Sequence, residues 1–520
     1  MAASSGEKQV TTREWIALFG AMLGAFMAVL DIQITNSSLN DIAGAIGSSI
    51  DEGSWISTAY LCAEIVAIGI SGIMASTFSI RRYLLVSAIG FLIFSLLCAF
   101  CSNLSELIAC RALQGLFGGA LIPLAFNIIL VVLPPSKQTI GLAIFGMTAT
   151  FGPAIGPSIG GWLTDNWGWQ WIFFINLPPG LALIAIIYAY LDQDPMHLER
   201  LPGMDYFGIF SMAIGLGSLE YVLEEGERKD WFGNVIIYRF AWIAGIFITL
   251  FLIRELTAKK PFLNLKLFKY RTFALSCVIQ TALGVGLYGT VFIVPEYLSM
   301  VQKYSAGQIG STLVWVGIPQ LFILPFVPKL IKIFDIRLII AVGAIFFAGS
   351  CFMNAFLDPD YARPQFVLSN IIRSLGQPLF LIPLLSMATS DIPKKEAGSA
   401  SALFNMMRNM GGSFGIALLS TLVTNREHLH SVRIGSTVTA ESPLVTARLN
   451  DVTSILLAKG LDPVTAARTA LKILNNSVQE QSYLMAYSDA FYVIGAVLGG
   501  SILLLLFIPK PKSVQHAEVA

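Results

Sequence analysis

Three charged side chains inside apolar stretches are the residues with the clearest capacity for chemistry. Asp31, Glu64 and Arg111 each interrupt a hydrophobic run long enough to cross a bilayer, and by residue counting each falls in its outer half. A charged group at mid-bilayer costs about 2.5–3.5 kcal/mol on the insertion scale, so it requires a partner or a water-filled cavity. Burial favours the neutral form of a carboxylic acid, whereas a nearby guanidinium favours the carboxylate. The three residues are therefore proton-coupling candidates, with a permanent buried ion pair as the alternative for each acid.

Five further polar side chains are candidates for the substrate path because they lie within apolar runs or at their ends. Glu296 has a second interpretation, since a side chain at the end of a span can extend to the membrane surface instead. The four histidines all lie in polar segments, which removes the usual proton switch from the membrane. The five candidates are Gln114, Glu296, Arg373, Asn405 and Arg408.

The composition indicates that these side chains are carried by membrane-spanning helices. Of the 520 residues, 55% are hydrophobic and 12% are charged, and the mean hydropathy is +0.71. Runs of roughly 18–25 apolar residues recur about fourteen times, which predicts an all-α protein with fourteen transmembrane helices. The net charge of +1 and the absence of a basic stripe argue against nucleic acid as a partner. Six cysteines inside apolar runs predict neither a disulfide framework nor a metal site.

The distribution of positive charge orients the predicted spans. Lys and Arg are concentrated in the connections on the side of the N-terminus, whereas the first connection on the other side contains neither. Both termini are therefore expected in the cytoplasm. The predicted order is a cytoplasmic tail (1–14), a six-helix bundle (15–200), two inserted helices (201–260), a second six-helix bundle (261–508) that includes a periplasmic loop (425–483), and a cytoplasmic tail (509–520).

Two glycine-rich helices, 259 residues apart, repeat one design. Pro134 aligns with Pro393 at this offset, and Phe145 aligns with Phe404. Glycines at every fourth position permit the close approach of a neighbouring helix, and prolines remove backbone hydrogen bonds at mid-membrane. An internal repeat of this kind is typical of transporters whose substrate site lies between two halves. The residues expected to serve conformational change are Gly152, Pro153, Gly156, Pro157, Gly160, Gly161, Gly411 and Gly412.

The first of these helices resembles the antiporter motif of the major facilitator superfamily. Further motifs are similar to those of its fourteen-helix drug:proton antiporter family: Leu30-Asp31 with Thr35-Asn36, Trp55 to Tyr60, Arg111-Ala-Leu-Gln114-Gly115 with Pro123-Leu124, Trp169-x-Trp171 through Asn176-x-Pro178, and Leu403-Phe404-Asn405-x-x-Arg408. Thr424-Asn425-Arg426-Glu427, before the long outer loop, resembles the EmrB-type members of that family.

The connection between the second and third spans departs from the superfamily pattern. Ser76 and Ser79 replace the usual acid and second glycine, whereas the equivalent connection of the second half keeps an acid. We therefore expect a weakened charge latch at the cytoplasmic gate of the first half. The gate residues predicted by the resemblance are Gly72, Arg81, Arg82, Asp335 and Arg337.

The resemblance implies a proton-coupled exporter of hydrophobic or amphipathic compounds in a bacterial inner membrane. It implies no cofactor beyond the proton gradient, and it implies a periplasmic adaptor protein and an outer-membrane channel as partners, with the long outer loop as a docking place. A transporter of one natural metabolite or fatty acid, in either direction, would share the fold. A receptor or an intramembrane enzyme would need a sensing domain or a catalytic constellation, and neither is found, so an enzyme is not expected.

Overall fold

The structure, a computed structural model, describes residues 10–258, 261–439 and 441–509, and these residues fold into α-helices joined by short connections. Most of the two predicted tails lies outside the described residues. The α-helices are α1 (Thr12–Ser37), α2 (Leu39–Ile46), α3 (Ile50–Gly53), α4 (Trp55–Phe78), α5 (Ile80–Phe100), α6 (Leu104–Val132), α7 (Pro135–Trp167), α8 (Trp171–Phe174), α9 (Leu177–Tyr190), α10 (Tyr206–Glu225), α11 (Val235–Thr257), α12 (Arg271–Met300), α13 (Ala306–Ile323), α14 (Val327–Ile333), α15 (Ile336–Asn354), α16 (Arg363–Thr389), α17 (Ala397–Thr437), α18 (Pro443–Ala458) and α19 (Pro463–Leu505).

Twelve of the described helical segments are long and apolar enough to cross a membrane. Helix α7 adds a thirteenth if its two parts, which meet at an angle of 44° beside Pro153, are counted as one span. A proline inside a helix removes one hydrogen bond and displaces the preceding turn, which explains the bend. Helix α17 is long enough at 41 residues, but it is too polar to be counted by composition. Length and composition therefore support twelve or thirteen spans, and the predicted count of fourteen depends on α17.

The helices pack as two groups with a hairpin between them in the chain. In the first half, α1 packs on α6, α7 and α9, and α4 packs on α6. In the second half, α12 packs on α17 and α19, and α15 packs on α16 and α19. The halves meet where α7 packs on α13 and α16, and where α17 packs on α4 and α6. The hairpin of α10 and α11 packs through α10 on both α4 and α17.

The motif glycines allow equivalent helix pairs to approach closely in each half. A Cβ atom at Gly152 would lie 3.1 Å from Val29 of α1, and one at Gly411 would lie 2.9 Å from the Cα of Thr281 on α12. The glycine face of α7 therefore packs on α1 within its own half. Contact with the second half is made at another position of α7, where Gly310 of α13 lies against Ser158. The predicted close approach is present, and the neighbouring helix is α1.

Gly156→Ala is expected to destabilise the protein by about 1–3 kcal/mol, the usual range for a core that is overfilled. The new methyl group would overlap the Cβ of Gln33, and the backbone of α1 lies directly behind it. The measurement is thermal unfolding of the purified protein in detergent. Gly500→Ala on α19 is the matched control, because its Cβ would meet nothing within 4 Å. Equal unfolding temperatures for the two variants would contradict the packing argument.

Candidate functional site

Asp31 and Arg111 form a buried ion pair at the centre of the first half. The Nη1 atom of Arg111 lies 2.6 Å from Oδ2 of Asp31, and each side chain is at most 1% exposed. The other carboxylate oxygen of Asp31 accepts hydrogen bonds from Asn176 (2.7 Å) and Gln114 (3.1 Å). We call these four residues the Asp31 network. It joins α1 and α6 to the residue that precedes α9.

Arg111 makes further contacts that occupy other donors of its guanidinium group. Its Nε atom donates to the carbonyl of Ile56 (3.2 Å), its Nη1 atom also donates to Gln114 (2.8 Å), and its guanidinium lies 4.2 Å from the ring centre of Tyr60. A buried ion pair is favourable only when further hydrogen bonds satisfy its remaining donors and acceptors. Both oxygens of Asp31 have partners here, which is the arrangement expected of a fixed ion pair.

Glu64 has a different environment, although it is equally buried. It lies on α4 and is 2% exposed, and its Oε1 atom has no hydrogen-bond partner within the described residues. Its carboxylate interacts electrostatically with Arg408 of the second half and with Arg111 of the first, and it faces Asn409. Glu64 is therefore the buried acid that interacts with charges of both halves.

A small cleft between the two halves contains two arginines. Arg373 Nε, Arg408 Nε, Arg408 Nη2 and Gln377 Nε2 are buried donors without a partner in the described part of the chain. Gln320 donates to Oε1 of Gln377 (2.6 Å), which leaves the Gln377 amide group directed elsewhere. We call this the arginine cleft; it is lined by Pro153, Leu287, Tyr288, Val291, Arg373, Gln377 and Arg408. Buried donors without partners are costly, so the cleft is suited to water or to a substrate that accepts hydrogen bonds.

Comparison with known proteins identifies the family and the fold of the chain. The model of the Major Facilitator Superfamily matches residues 21–416. The chain belongs to the Major Facilitator Superfamily. It shares 13% identity and a TM-score of 0.61 with a proton:xylose symporter, XylE, over 96% of this chain and 97% of that one, which shows a common fold.

Curated relatives within this superfamily are similar over most of their length. The chain is 34% identical over 500 residues to the colistin resistance protein EmrB of Acinetobacter baumannii, covering 95% of this chain and 96% of that protein. It is 33% identical over 427 residues to the multidrug export protein EmrB of Escherichia coli strain K12, covering 81% and 82%. It is 31% identical over 496 residues to the fatty acid resistance protein FarB of Neisseria gonorrhoeae, covering 95% and 94%.

The predicted substrate-path residues of this superfamily member do not all meet. Arg373 and Arg408 line the arginine cleft, whereas Gln114 belongs to the Asp31 network. Asn405 donates to the carbonyl of Ser401 (2.9 Å), one turn earlier in α17. Glu296 lies two turns beyond Tyr288 on α12, a rise of about 12 Å, and it faces Tyr487 and Glu227.

The gate residues lie on the side of the protein where α1 begins. The two halves touch there at two glycines, since a Cβ on Gly72 would lie 2.8 Å from the backbone of Gly398. Ser401 of α17 also donates to the carbonyl of Pro123 on α6 (2.7 Å). On this side the two halves are therefore closed between α4 and α17, whereas an apolar cavity of about 470 Å³ lies between α7 and α14.

The charged gate residues form hydrogen bonds and ion pairs within their own halves. Arg81 donates to the carbonyl of Tyr188, and Arg82 lies beside Gln193. Arg337 pairs with Asp335 (3.0 Å) and donates to the carbonyl of Ile508. Ser79 donates to Asp194, which thus supplies an acid near the position where the superfamily pattern has one.

Joining Gly72→Cys to Gly398→Cys by oxidation should hold this side closed and stop transport. The two Cα atoms are close enough for a disulfide after a small shift, and any opening of this side must separate them. The readout is export activity before and after oxidation in a variant whose six native cysteines are replaced. Reduction should restore activity, and the same double variant in its reduced form is the control, because it contains the same two added side chains. Full activity of the crosslinked protein would show that these helices do not separate.

The outer segment is more continuous than the sequence suggested. The segment predicted as a loop over 425–483 is mostly helical: α18 is a short helix, and α19 runs through 43 residues into its apolar part. Helix α17 likewise extends past its apolar part, and His430 of that extension contacts Asp489 of α19 (3.0 Å). Large apolar side chains are exposed on this segment, among them Val432, Leu444 and Val464.

Several functional candidates were missed by sequence reasoning. Tyr288, Gln377, Asn409 and Ser413 are common polar types, and nothing in their own segments distinguishes them from packing residues. The available signal was the spacing of Asn405, Arg408, Asn409 and Ser413, which follows the helical period along α17. Within the described residues, no cluster of three or more His, Cys, Asp or Glu side chains could hold a metal ion.

Proposed function

We propose that this protein exports hydrophobic or amphipathic compounds across a bacterial inner membrane in exchange for protons. The superfamily and the names of the multidrug export relatives support the export of drug-like compounds. The observation that carries proton exchange is Glu64, a buried acid with an unpartnered oxygen that faces Arg408 of the opposite half. A group of this kind gains or loses a proton as its surroundings change.

Glu64 couples the proton to the interface between the halves in the proposed cycle. The carboxylate attracts Arg408 and thereby holds α4 against α17, on which the closed side of the protein depends. When Glu64 takes a proton, this attraction is lost while Arg408 remains charged and buried. The relative stability of the two access states then changes, because the attraction between Glu64 and Arg408 differs between them. Alternating access follows from repeated binding and release of the proton.

We further propose fourteen transmembrane helices, arranged as two six-helix bundles with α10 and α11 inserted between them. The contacts of α17 support this count, because α17 packs on α4, α6, α12 and α19. Its polar side chains therefore face other helices, and Asn405 and Arg408 are buried. With an even number of spans both termini lie on one side, and the excess of Lys and Arg in the short connections assigns that side to the cytoplasm.

A periplasmic adaptor protein and an outer-membrane channel are proposed as partners, with the outer segment of α17, α18 and α19 as the adaptor contact. Deleting residues 439–480 should leave export in liposomes intact but abolish resistance of cells. The exposed apolar side chains of this segment support the assignment, because an apolar patch in water is costly unless it is covered. The measurement is growth on toxic compounds beside transport in proteoliposomes. Unchanged resistance would remove the adaptor role.

The arginine cleft favours acidic amphiphiles, including fatty acids, as a second candidate substrate class. Two guanidinium groups with free donors are suited to a carboxylate, and a relative is named a fatty acid resistance protein. Arg373→Gln should then reduce resistance to long-chain fatty acids about tenfold or more, since an ionic hydrogen bond contributes about 1.5–3 kcal/mol. Resistance to ethidium should change little. An equal loss for both compounds would assign Arg373 to folding or to the general cycle.

The proposed function can be tested by measuring whether a pH gradient supplies the energy for export. Everted membrane vesicles that contain the protein should accumulate ethidium when a pH gradient is imposed, and they should lose it when a protonophore collapses that gradient. Accumulation that survives the protonophore would exclude proton exchange as the source of energy.

A further inference from the structure

We propose that Glu220, on the inserted helix α10, is a second proton-binding carboxylate of the transport cycle. The inference rests on the proposed proton-coupled export and extends it to two exchangeable protons. The inserted hairpin would then be part of the coupling machinery, in addition to joining the two halves. Three observations carry the inference: the docking of α10, the environment of Glu220, and the charges that surround it.

Helix α10 is docked along α4, the helix that carries Glu64. The rings of Trp55 and Tyr221 stack with centroids 4.9 Å apart, and Cys62 donates to the carbonyl of Gly217 (3.4 Å). At the end of α10, Glu225 accepts hydrogen bonds from Ser54, the residue before α4 (2.8 Å), and from Thr58 of α4 (3.1 Å). These contacts fix the side of α10 that faces the interface between the halves.

Glu220 is buried on that side and is only 4% exposed. Its Oε1 atom accepts a hydrogen bond from Ser413 of α17, which belongs to the second half. Within the described residues, Glu220 forms no ion pair with Lys, Arg or His. A buried carboxylate that lacks a cationic partner is strongly disfavoured, so either a proton or a counter-charge must neutralise it.

The groups around Glu220 include few positive charges. From α4 it faces Glu64 and Cys62, from α12 Tyr288, and on its own helix Glu224. Helix α11 presents the aromatic ring of Phe240 to the next residue of α10, Tyr221. The guanidinium of Arg408 on α17 interacts with Glu64 and Tyr288.

These charges make the protonation of the two acids interdependent. Two neighbouring carboxylates repel one another when both are ionised, and Arg408 can compensate only one of them. When α17 moves relative to α4 and α10, both the hydrogen bond from Ser413 and the attraction of Arg408 change. Each acid then releases one proton to the water-filled side, or takes one from it, with no other reactant required. The exchange therefore involves two protons, one on Glu64 and one on Glu220.

The decisive test is the dependence of export on the size of the pH gradient. In proteoliposomes held at zero membrane potential, the limiting accumulation ratio of ethidium rises with the pH difference across the membrane. Each exchanged proton increases this ratio about tenfold per pH unit. Glu220→Gln should lower the slope of the logarithm of this ratio against the pH difference by about one. A purely structural role would reduce the rate and leave the slope unchanged. Glu220→Asp, which keeps an ionisable group, should restore the wild-type slope.

Infrared spectroscopy of the full-length protein provides a test that needs no substrate. The pH-difference spectrum of the wild type should contain a protonated-carboxyl band that Glu220→Gln removes. Glu106→Gln, the same change at an exposed position of α6, should keep that band and the slope. An unchanged band and an unchanged slope in Glu220→Gln would overturn the proposal for Glu220. If the pH gradient still drove export by the wild type, proton-coupled export itself would remain supported. Export that ignores the gradient in every variant would instead overturn proton coupling itself.

Discussion

Asp31→Asn is expected to remove most of the folded protein from the membrane. The substitution leaves the guanidinium of Arg111 buried at 1% exposure without its counter-charge. Breaking a buried ion pair by removing one partner typically costs about 3–5 kcal/mol, a large part of the stability of a folded protein. The measurement is the amount and the unfolding temperature of the protein after extraction in detergent.

Two further variants make this expectation specific to the ion pair. Combining Asp31→Asn with Arg111→Gln removes both charges and should restore much of the folded protein, because two neutral amides can hydrogen bond to each other. Asp41→Asn, at an exposed position of α2, is the control and should behave as the wild type. A fully stable Asp31→Asn protein that has lost proton coupling would identify Asp31 as an exchanging group and would contradict its role as a fixed partner.

Glu64→Gln is expected to lower the accumulation of substrate against a concentration gradient by about tenfold per pH unit while the protein remains folded. The amide keeps the shape of the side chain but cannot exchange a proton, and it removes a buried charge instead of exposing one. Each lost proton reduces the attainable accumulation by about tenfold per pH unit. Exchange of substrate for substrate across the membrane, which needs no net proton movement, should continue.

The control for this prediction is Glu106→Gln, an exposed acid at the start of α6. It changes the net charge equally and should leave uphill export intact. If Glu64→Gln lost uphill export and substrate exchange together, the residue would be needed for binding or for movement of the helices, and its role in proton exchange would lose support.

Much of the fold could be predicted from the sequence because the membrane restricts the possible structures. Backbone polar groups in hydrocarbon must be satisfied within the segment, so apolar runs of sufficient length form helices. Most of the predicted runs are present as candidate spans. The count was less certain at α17, because Arg408 and its polar neighbours lower the hydropathy of a helix that other helices surround. Hydropathy alone cannot distinguish lipid-facing from protein-facing surface.

The candidate site could be predicted only in part, because pairing depends on how helices rotate about their axes. The sequence identified Asp31, Glu64 and Arg111 as buried charges, but it could not show that Arg111 pairs with Asp31 and leaves Glu64 an unpartnered oxygen. Asn176, which completes the Asp31 network, precedes α9 in sequence and is distant from α1. Pairings of this kind are set by tertiary packing.

The contact at the gate could also be predicted only in part. Gly72 was predicted as a gate residue from the resemblance, together with Arg81, Arg82 and a weakened charge latch, but Gly398, which lies against Gly72, was not. These arginines bind within the first half, so backbone contact between two glycines closes the gate instead. Glycine permits this contact because it lacks a Cβ atom, and the sequence gives no direct sign of which glycine would be opposite.

The central claim is that proton exchange at Glu64 drives export. The movement of protons can be measured directly. Purified protein is placed in liposomes that contain a pH-sensitive dye, and ethidium is added in the absence of a pH gradient. We expect from this claim that ethidium movement through the wild type drives protons in the opposite direction, and that Glu64→Gln moves fewer protons for each ethidium transported. Ethidium transport by the wild type without proton movement, or unchanged proton movement in Glu64→Gln, would contradict it.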